Sequence, residues 1–290
     1  METRQVSQKK IITFLLLTFA LSSLFYGLMI VAGSYRAQGG LYLLGLMWCP
    51  GIAAMSTQWL FQRNIRGLGW SLGRRRYLWT SYALPLLYGL VTYSIVWITG
   101  LGRFSPQQVA DAIAPQIGYT PQSPYAFAVV YFIIAVTLGL LPSCVTALGE
   151  EIGWRGLLVP QLAKVTSFSK TALISGVIWA VWHYPILLFA DYNNRTPAWY
   201  GLACFTVMVL GMSFAFAWLR LKSGSLWTAV LLHASHNLVI KNVFTLATAD
   251  MGITPYIVDE FGIALALAAL VVAYVAWKKR SEIPAAPSLA

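Results

Sequence analysis

The chain has 290 residues, of which 58% are hydrophobic and only 10% are charged, and its mean hydropathy is +0.67. A soluble domain has about a quarter of its residues charged, so this composition excludes a water-soluble globular protein and predicts an integral membrane protein with lipid as its solvent. The net charge of +11 then indicates basic residues in cytoplasmic loops, and no nucleic-acid partner is expected.

Apolar runs along the chain predict the membrane spans, because a helix needs about 20 apolar residues to cross the hydrocarbon core. The predicted fold class is therefore all-α, a polytopic membrane protein with about eight transmembrane helices. The helix of the fourth run must continue to about residue 162 for the site described below to form. The runs lie at 11–33, 41–61, 78–101, 125–148, 171–190, 199–219, 225–245 and 259–277.

The basic residues predict the orientation of these spans. Under the eight-span assignment, sixteen of the twenty Lys and Arg residues fall on one side of the membrane, which the positive-inside rule identifies as the cytoplasm. Both termini are then cytoplasmic, and the expected location is the cell membrane of a bacterium. Residues 1–280 form one transmembrane domain with its motifs at 150–237, and residues 281–290 are predicted to be a disordered tail.

Ionisable side chains at membrane depth are costly, so they mark function or pairing. The three histidines of the chain, His183, His233 and His236, all fall within predicted spans. Two adjacent acids, Glu150 and Glu151, directly follow the fourth apolar run, whereas the other acids fall in termini or predicted loops. This distribution predicts a polar site inside the membrane.

The spacing within each segment predicts which of these side chains share a helix face. Arg155 follows Glu151 by four residues, so the two can form an ion pair on one face. Glu150 is rotated by about 100° from Glu151 and has no basic partner in its own helix. His233 and Asn237 are also four residues apart and share a face.

Three helices bring a carboxylate and two imidazoles to a similar depth below the cytoplasmic face. At about 1.5 Å per residue, the separations are about 21 Å for Glu150 from Lys164, about 20 Å for His183 from Lys170 and about 16 Å for His233 from Lys222. We therefore expect a site that opens to the cytoplasmic side. His236 points away from the face of His233, and a hydrogen bond between helices is the simpler expectation for it.

Three segments, Glu150-Glu151…Arg155, Trp179…His183 and His233…Asn237, resemble the signature of the CPBP family, written EExxxR, FxxxH and HxxxN. This family of intramembrane glutamic endopeptidases includes the type II CAAX prenyl endopeptidases and lysostaphin resistance A-like proteins. The resemblance covers about a third of the chain. Trp179 stands where the family usually has Phe, a departure expected to affect the substrate pocket more than catalysis.

The resemblance implies an intramembrane endopeptidase that hydrolyses a peptide bond in a prenylated, CAAX-type substrate or another membrane-anchored peptide. It implies no metal or cofactor. The implied roles are water activation by Glu150 and His183, oxyanion stabilisation by His233 and Asn237, and support of the site by Glu151 and Arg155.

Two alternatives stay open at this point. Glu150, His183 and His233 are residue types that bind zinc, so a zinc-dependent intramembrane peptidase is possible, although the HExxH motif is absent. The chain could also be a non-proteolytic scaffold or immunity protein. Activity that survives chelation argues against zinc, and a Glu150→Ala protein that keeps every biological function favours the scaffold.

Overall fold

The computed structural model describes residues 3–193 and 195–284. Helices dominate these residues, which confirms the predicted all-α class. One short antiparallel pairing joins strand β1, Arg103–Phe104, to strand β2, Thr248–Ala249. Of the predicted tail at 281–290, residues 285–290 lie outside the described residues, so disorder of the tail stays a prediction.

The first half of the chain forms five α-helices. Short 3-10 turns at Ala37–Gly40, Arg66–Leu68 and Ala114–Ile117 lie in the connections. The α-helices are α1, Arg4–Val31; α2, Leu41–Gln62; α3, Arg75–Ile98; α4, Pro106–Ile113; and α5, Pro124–Thr137.

The second half contains the three sequence motifs, and two of its helices continue into π-helical segments. The elements are α6, Leu140–Glu151; a first π-helical segment, Ile152–Leu158; α7, Val159–Val165; α8, Phe168–Phe189; α9, Ala198–Ser223; α10, Trp227–Asn237; a second π-helical segment, Leu238–Thr245; α11, Thr254–Ile257; and α12, Ile263–Lys278. A 3-10 turn, Lys279–Glu282, follows α12. The predicted continuation of the fourth helix past residue 148 is confirmed, since α6, the first π-helical segment and α7 run without a break.

Local sequence explains several helix ends. The hydroxyls of Thr3, Ser105 and Ser123 accept backbone N–H bonds at the starts of α1, α4 and α5, as N-cap residues do. Pro106 and Pro124 occupy the first turns of α4 and α5, where a missing N–H costs no hydrogen bond. These caps begin each helix at the end of its loop.

The eight predicted apolar runs are all helical, but fewer helices meet the length and composition needed for a membrane span. In the described part of the chain there are five, or six if the pair Pro124–Thr137 and Leu140–Val165, bent by 41°, counts as one span. The α-helix of the seventh run ends at Asn237 and continues as a π-helix, and α12 has only 16 residues. The count of eight spans and the orientation therefore stay predictions.

Close helix packing positions the first motif. A β-carbon added to Gly149 would lie 2.7 Å from the carbonyl oxygen of Met47, and one added to Gly153 would lie 2.5 Å from Cβ of Pro50. These two glycines let α2 and the helix of the first motif approach to backbone contact, as small residues do between membrane helices. The carboxylates of the motif are thereby held beside α2 in the interior of the bundle.

Candidate active site

Glu150 lies near the end of α6, and only 2% of its surface is exposed. Its carboxylate oxygen Oε2 accepts two hydrogen bonds, one from the indole Nε1 of Trp179 at 2.8 Å and one from that of Trp154 at 3.3 Å. Because both bonds go to Oε2, the other oxygen, Oε1, has no donor among the described residues. Glu150 can therefore accept a further hydrogen bond from a water or a substrate.

His183 lies in α8, one turn after Trp179. Its Nδ1 is 2.9 Å from the backbone carbonyl oxygen of Trp179. A carbonyl can only accept, so Nδ1 is the donor and Nε2 of the neutral ring is an acceptor. The rings of Trp182 and Phe205 pack edge-on at centroid distances of 4.8 and 5.0 Å. His183 is thus a firmly oriented imidazole with one acceptor nitrogen to offer.

Glu151 connects the first and third motifs. Its Oε1 accepts hydrogen bonds from Nη1 of Arg155 and from Nδ1 of His233, each at 2.8 Å. The predicted pair of Glu151 with Arg155 is therefore confirmed. The link to His233 was not predicted, because it joins residues 82 positions apart in the sequence. It leaves Nε2 as the nitrogen of His233 that is open to a ligand.

The guanidinium of Arg155 is buried against two aromatic rings. Its Cζ lies 4.1 Å from the ring centroid of Trp179 and 3.8 Å from that of Phe216, which are favourable cation–π distances. Its backbone carbonyl accepts a 2.7 Å hydrogen bond from Nε of Arg220. Arg155 is 1% exposed, so its charge is compensated by Glu151 and by these ring faces rather than by water.

The predicted site residues meet at one cavity. Glu150, His183, His233 and Asn237 all line a cavity of about 360 Å³. Asn237, at the end of α10, is half-buried, whereas the other three side chains are buried. Glu151 and Arg155 lie behind this surface, in agreement with the supporting position predicted for them. The catalytic role of each residue stays a prediction.

A second polar cluster lines the same cavity. His236 forms a hydrogen bond through Nδ1 with the hydroxyl of Tyr88, and its Nε2 lies 3.7 Å from Oε1 of Glu260. Oε2 of Glu260 is 3.0 Å from Nζ of Lys241. Lys241 also donates a 2.8 Å hydrogen bond to the hydroxyl of Tyr192. His236 thus has the inter-helix hydrogen bond predicted for it, and it also contacts an acid from a distant segment.

Sequence analysis assigned Glu260 to a loop and missed its part in this cavity. Glu260 is only 4% exposed. Burial acts to raise the pKa of this carboxyl, but the charges and hydrogen bonds of Lys241 and His236 outweigh burial and hold its pKa below the ordinary range. Burial and the neighbouring Glu260 charge raise the pKa of the Tyr192 phenol. The position of Lys241 at the end of an apolar run was the one signal in the sequence that an acid should lie nearby.

The predicted cytoplasmic opening requires the cavity to extend toward the basic-rich helix ends. The cavity does not extend in that direction. Its exposed and half-buried lining residues, which include Arg36, Tyr192 and Lys241, lie near the opposite ends of the helices. Counting residues along a helix gives the depth of a side chain. It does not show at which end of the bundle the neighbouring helices leave an open cavity. The cytoplasmic opening of the site therefore stays a prediction.

The residues at the cavity were compared with the needs of a metal ion. Within residues 3–193 and 195–284, no three side chains of His, Cys, Asp or Glu are grouped so that they could hold one. The carboxylate and imidazole groups at the cavity instead bond to indole, guanidinium and backbone partners. The absence of a cofactor stays a prediction.

The chain is similar to a known protein family and to a curated relative. Residues 132–239 match the family described as Type II CAAX prenyl endopeptidase Rce1-like. A stretch of 95 residues is 33% identical to CAAX prenyl protease 2 of Methanococcus maripaludis, which amounts to 31% of this chain and 34% of that protein. The similarity thus spans about a third of the relative's length. These matches support the family resemblance predicted from the three motifs: residues 132–239 are similar to the Rce1-like type II CAAX prenyl endopeptidases.

Proposed function

We propose that the chain is an intramembrane endopeptidase that hydrolyses a peptide bond in a membrane-associated substrate. The observation that carries this proposal is the convergence of Glu150, His183, His233 and Asn237 on one cavity among apolar helices. The four residues come from three different helices and lie within the segment that matches the endopeptidase family. Ionisable groups gathered at membrane depth are costly, so such a cluster favours chemistry over packing.

Glu150 and His183 hold and activate the attacking water. Oε1 of Glu150 and Nε2 of His183 are both acceptors, so one water can donate a hydrogen bond to each and direct its lone pair at the scissile carbonyl. Glu150 takes a proton as general base when the new C–O bond forms. It then returns that proton to the nitrogen of the leaving amine as the C–N bond breaks.

His233 and Asn237 stabilise the oxyanion that develops on the carbonyl oxygen. The amide of Asn237 has N–H donors at any pH. His233 donates to Glu151 through Nδ1, so its Nε2 can donate to the oxyanion only when the ring is an imidazolium, whose charge Glu151 compensates. Loss of one such donor reduces the rate by about 10²–10³-fold in acyl-transfer enzymes.

The proposal includes a multi-pass topology of eight spans with both termini in the cytoplasm. Each of the eight apolar runs is helical, and the bend at residues 138–139 joins α5 to α6 as one broken span. Sixteen of the twenty basic residues then lie on one side, in agreement with the positive-inside rule. The short α12 crosses the bilayer because the basic residues at one of its ends extend their side chains to the interface.

The substrate class proposed is a peptide that is anchored to or embedded in the membrane. The relative in M. maripaludis is named a CAAX prenyl protease, so a prenylated C-terminal peptide is one member of that class. Membrane-anchored peptide precursors without a prenyl group are the other.

The test compares wild-type protein with Glu150→Gln and His183→Ala in cells and in proteoliposomes, with released peptides identified by mass spectrometry. We expect cleavage products that depend on both residues, with each variant still monodisperse in detergent. Cleavage retained in either variant would contradict the mechanism. Wild-type activity that is lost on treatment with a strong chelator and restored by zinc would favour the metallopeptidase. A Glu150→Gln protein that complements every deletion phenotype would favour a scaffold.

A further inference from the structure

The candidate site lies much closer to one end of the helix bundle than to the other. In α8, which runs from Phe168 to Phe189, His183 is about 22 Å from the first residue and about 9 Å from the last at 1.5 Å per residue. The cavity extends from His183 toward the nearer end, since Tyr192, just beyond α8, also lines it. The near end of α8 therefore marks the side on which the cavity lies.

Other elements place their cavity-lining residues at the same end. Tyr35 and Arg36 follow the end of α1, Leu43 lies at the start of α2, and Glu260 precedes α12. The exposure of the lining changes in the same direction. Arg36 is exposed, and Lys241 is half-buried, whereas Glu150 and His233 are buried.

The opposite side of Glu150 is closed by a packed layer. Cζ of Arg155 lies 4.1 Å from the ring centroid of Trp179 and 3.8 Å from that of Phe216. Beneath it, Arg220, itself only 7% exposed, donates to the carbonyl oxygen of Arg155. Backbone of the loop after α2 completes the layer, because a β-carbon on Gly69 would lie 2.6 Å from the Arg220 guanidinium. Arg155, Arg220 and Gly69 are not among the residues that line the cavity.

The helix ends below this layer are the basic-rich ones. Lys164 lies in the last turn of α7, Lys170 in the first turn of α8, and Lys222 in the last turn of α9. The positive-inside rule assigns such ends to the cytoplasm. The cavity and the basic-rich ends thus lie on opposite sides of the packed layer.

We propose that the site is reached from the extracytoplasmic face and that its substrate is a peptide segment exposed on that face, attached to the outer leaflet or to a membrane helix. The choice of a peptide as ligand rests on the proposed function, whereas the direction of access rests on the position of the cavity and on the positive-inside rule. A peptide that is made and modified in the cytoplasm must cross the membrane before this site can cleave it.

The test measures thiol accessibility in a cysteine-free parent that carries Cys49→Ala, Cys144→Ala and Cys204→Ala; the structure contains these cysteines as free thiols. Single cysteines are then introduced as Thr146→Cys, which lines the cavity one turn from Glu150, and as Lys170→Cys, which is exposed at the basic-rich end. A charged, membrane-impermeant methanethiosulfonate reagent is applied to intact cells and to inverted membrane vesicles. Should Thr146→Cys fail to fold, Met208→Cys probes the same cavity.

In intact cells we expect the Thr146→Cys thiol to react at least about tenfold faster than the Lys170→Cys thiol. The reagent reacts with a water-exposed thiolate, and because it does not cross the membrane it reaches only thiols that are open to the outer face. In inverted vesicles the order reverses. Reaction of both thiols from the same side overturns the proposal. A cavity thiol that reacts from neither side also overturns it, because that result indicates access from within the lipid. Labelling needs no catalysis, so this outcome is independent of the Glu150→Gln test of the proposed function.

Discussion

The indole N–H of Trp179 donates a 2.8 Å hydrogen bond to Oε2 of Glu150, the carboxylate proposed as general base. The backbone carbonyl of the same residue orients His183 at 2.9 Å, and its ring face contacts the Arg155 guanidinium. Trp179 thus bonds to both members of the proposed water-activating pair, Glu150 and His183. A Phe at this position, the usual residue in the family signature, would keep the ring and the carbonyl but not the N–H donor.

Trp179→Phe is therefore expected to lower the cleavage rate by about 10- to 100-fold, because a hydrogen bond to a charged group contributes about 1.5–3 kcal/mol. The matched control is Trp154→Phe, which removes the longer 3.3 Å bond to the same oxygen and should cost less. Initial rates on one substrate in proteoliposomes make the comparison. Equal losses in the two variants would show that the shorter bond has no special part in positioning Glu150.

Glu151→Gln is expected to reduce stability, whereas Glu150→Gln is not. Glu151 is the charged partner of Arg155, and both are at most 1% exposed. Breaking a buried ion pair by removing one partner costs about 3–5 kcal/mol. The measurement is the thermal unfolding midpoint in detergent. A Glu151→Gln protein as stable as Glu150→Gln would mean that the ring faces of Trp179 and Phe216 suffice to hold the guanidinium.

Gly153→Ala is expected to disrupt the packing of α2 against the first motif. The added β-carbon would lie 2.5 Å from Cβ and 2.8 Å from the carbonyl group of Pro50, and overpacking of this kind costs about 1–3 kcal/mol. Gly156→Ala is the control, since its nearest neighbour, the carbonyl oxygen of Leu68, lies at 3.4 Å. The yield of monodisperse protein distinguishes the two, and equal yields would contradict the close approach at Gly153.

The carboxylate of Glu260 is expected to make stability sensitive to acid. Because Lys241 and His236 hold its pKa below the ordinary value, its contribution is complete above the ordinary carboxyl pKa of about 4.3 and is lost as the pH falls below that value toward the pKa of the folded state. The midpoint of thermal unfolding should therefore fall less steeply below pH 4–5, roughly, in Glu260→Gln than in the wild type.

The control for this pH series is Glu282→Gln, which changes an exposed carboxylate with a 3.8 Å contact to Lys222. An exposed pair of this length contributes about 0–1 kcal/mol, so its acid profile should match that of the wild type. A Glu282→Gln profile as flat as that of Glu260→Gln would indicate that the acid sensitivity does not come from the buried cluster.

Much of this protein could be predicted from its sequence because hydropathy and helical spacing are local properties. Apolar runs predicted the helices, the four-residue spacing predicted the Glu151–Arg155 pair, and three motifs predicted which side chains meet. The number of spans was less secure. Polar residues and a π-helical turn interrupt the run that ends at Thr245, and no local pattern says whether such a segment crosses the bilayer.

The tertiary structure alone decided how the helices are rotated toward each other and where they leave space. Contacts such as Trp179 with Glu150, Glu151 with His233 and Glu260 with Lys241 join separate segments, and their formation depends on packing that no spacing rule contains. The end of the helices toward which the cavity extends was decided in the same way, by the packing of separate segments. The sequence by itself predicted that a carboxylate and two imidazoles share one depth along their helices, because depth follows from counting residues along a helix. Access depends instead on which neighbouring side chains fill the space between helices.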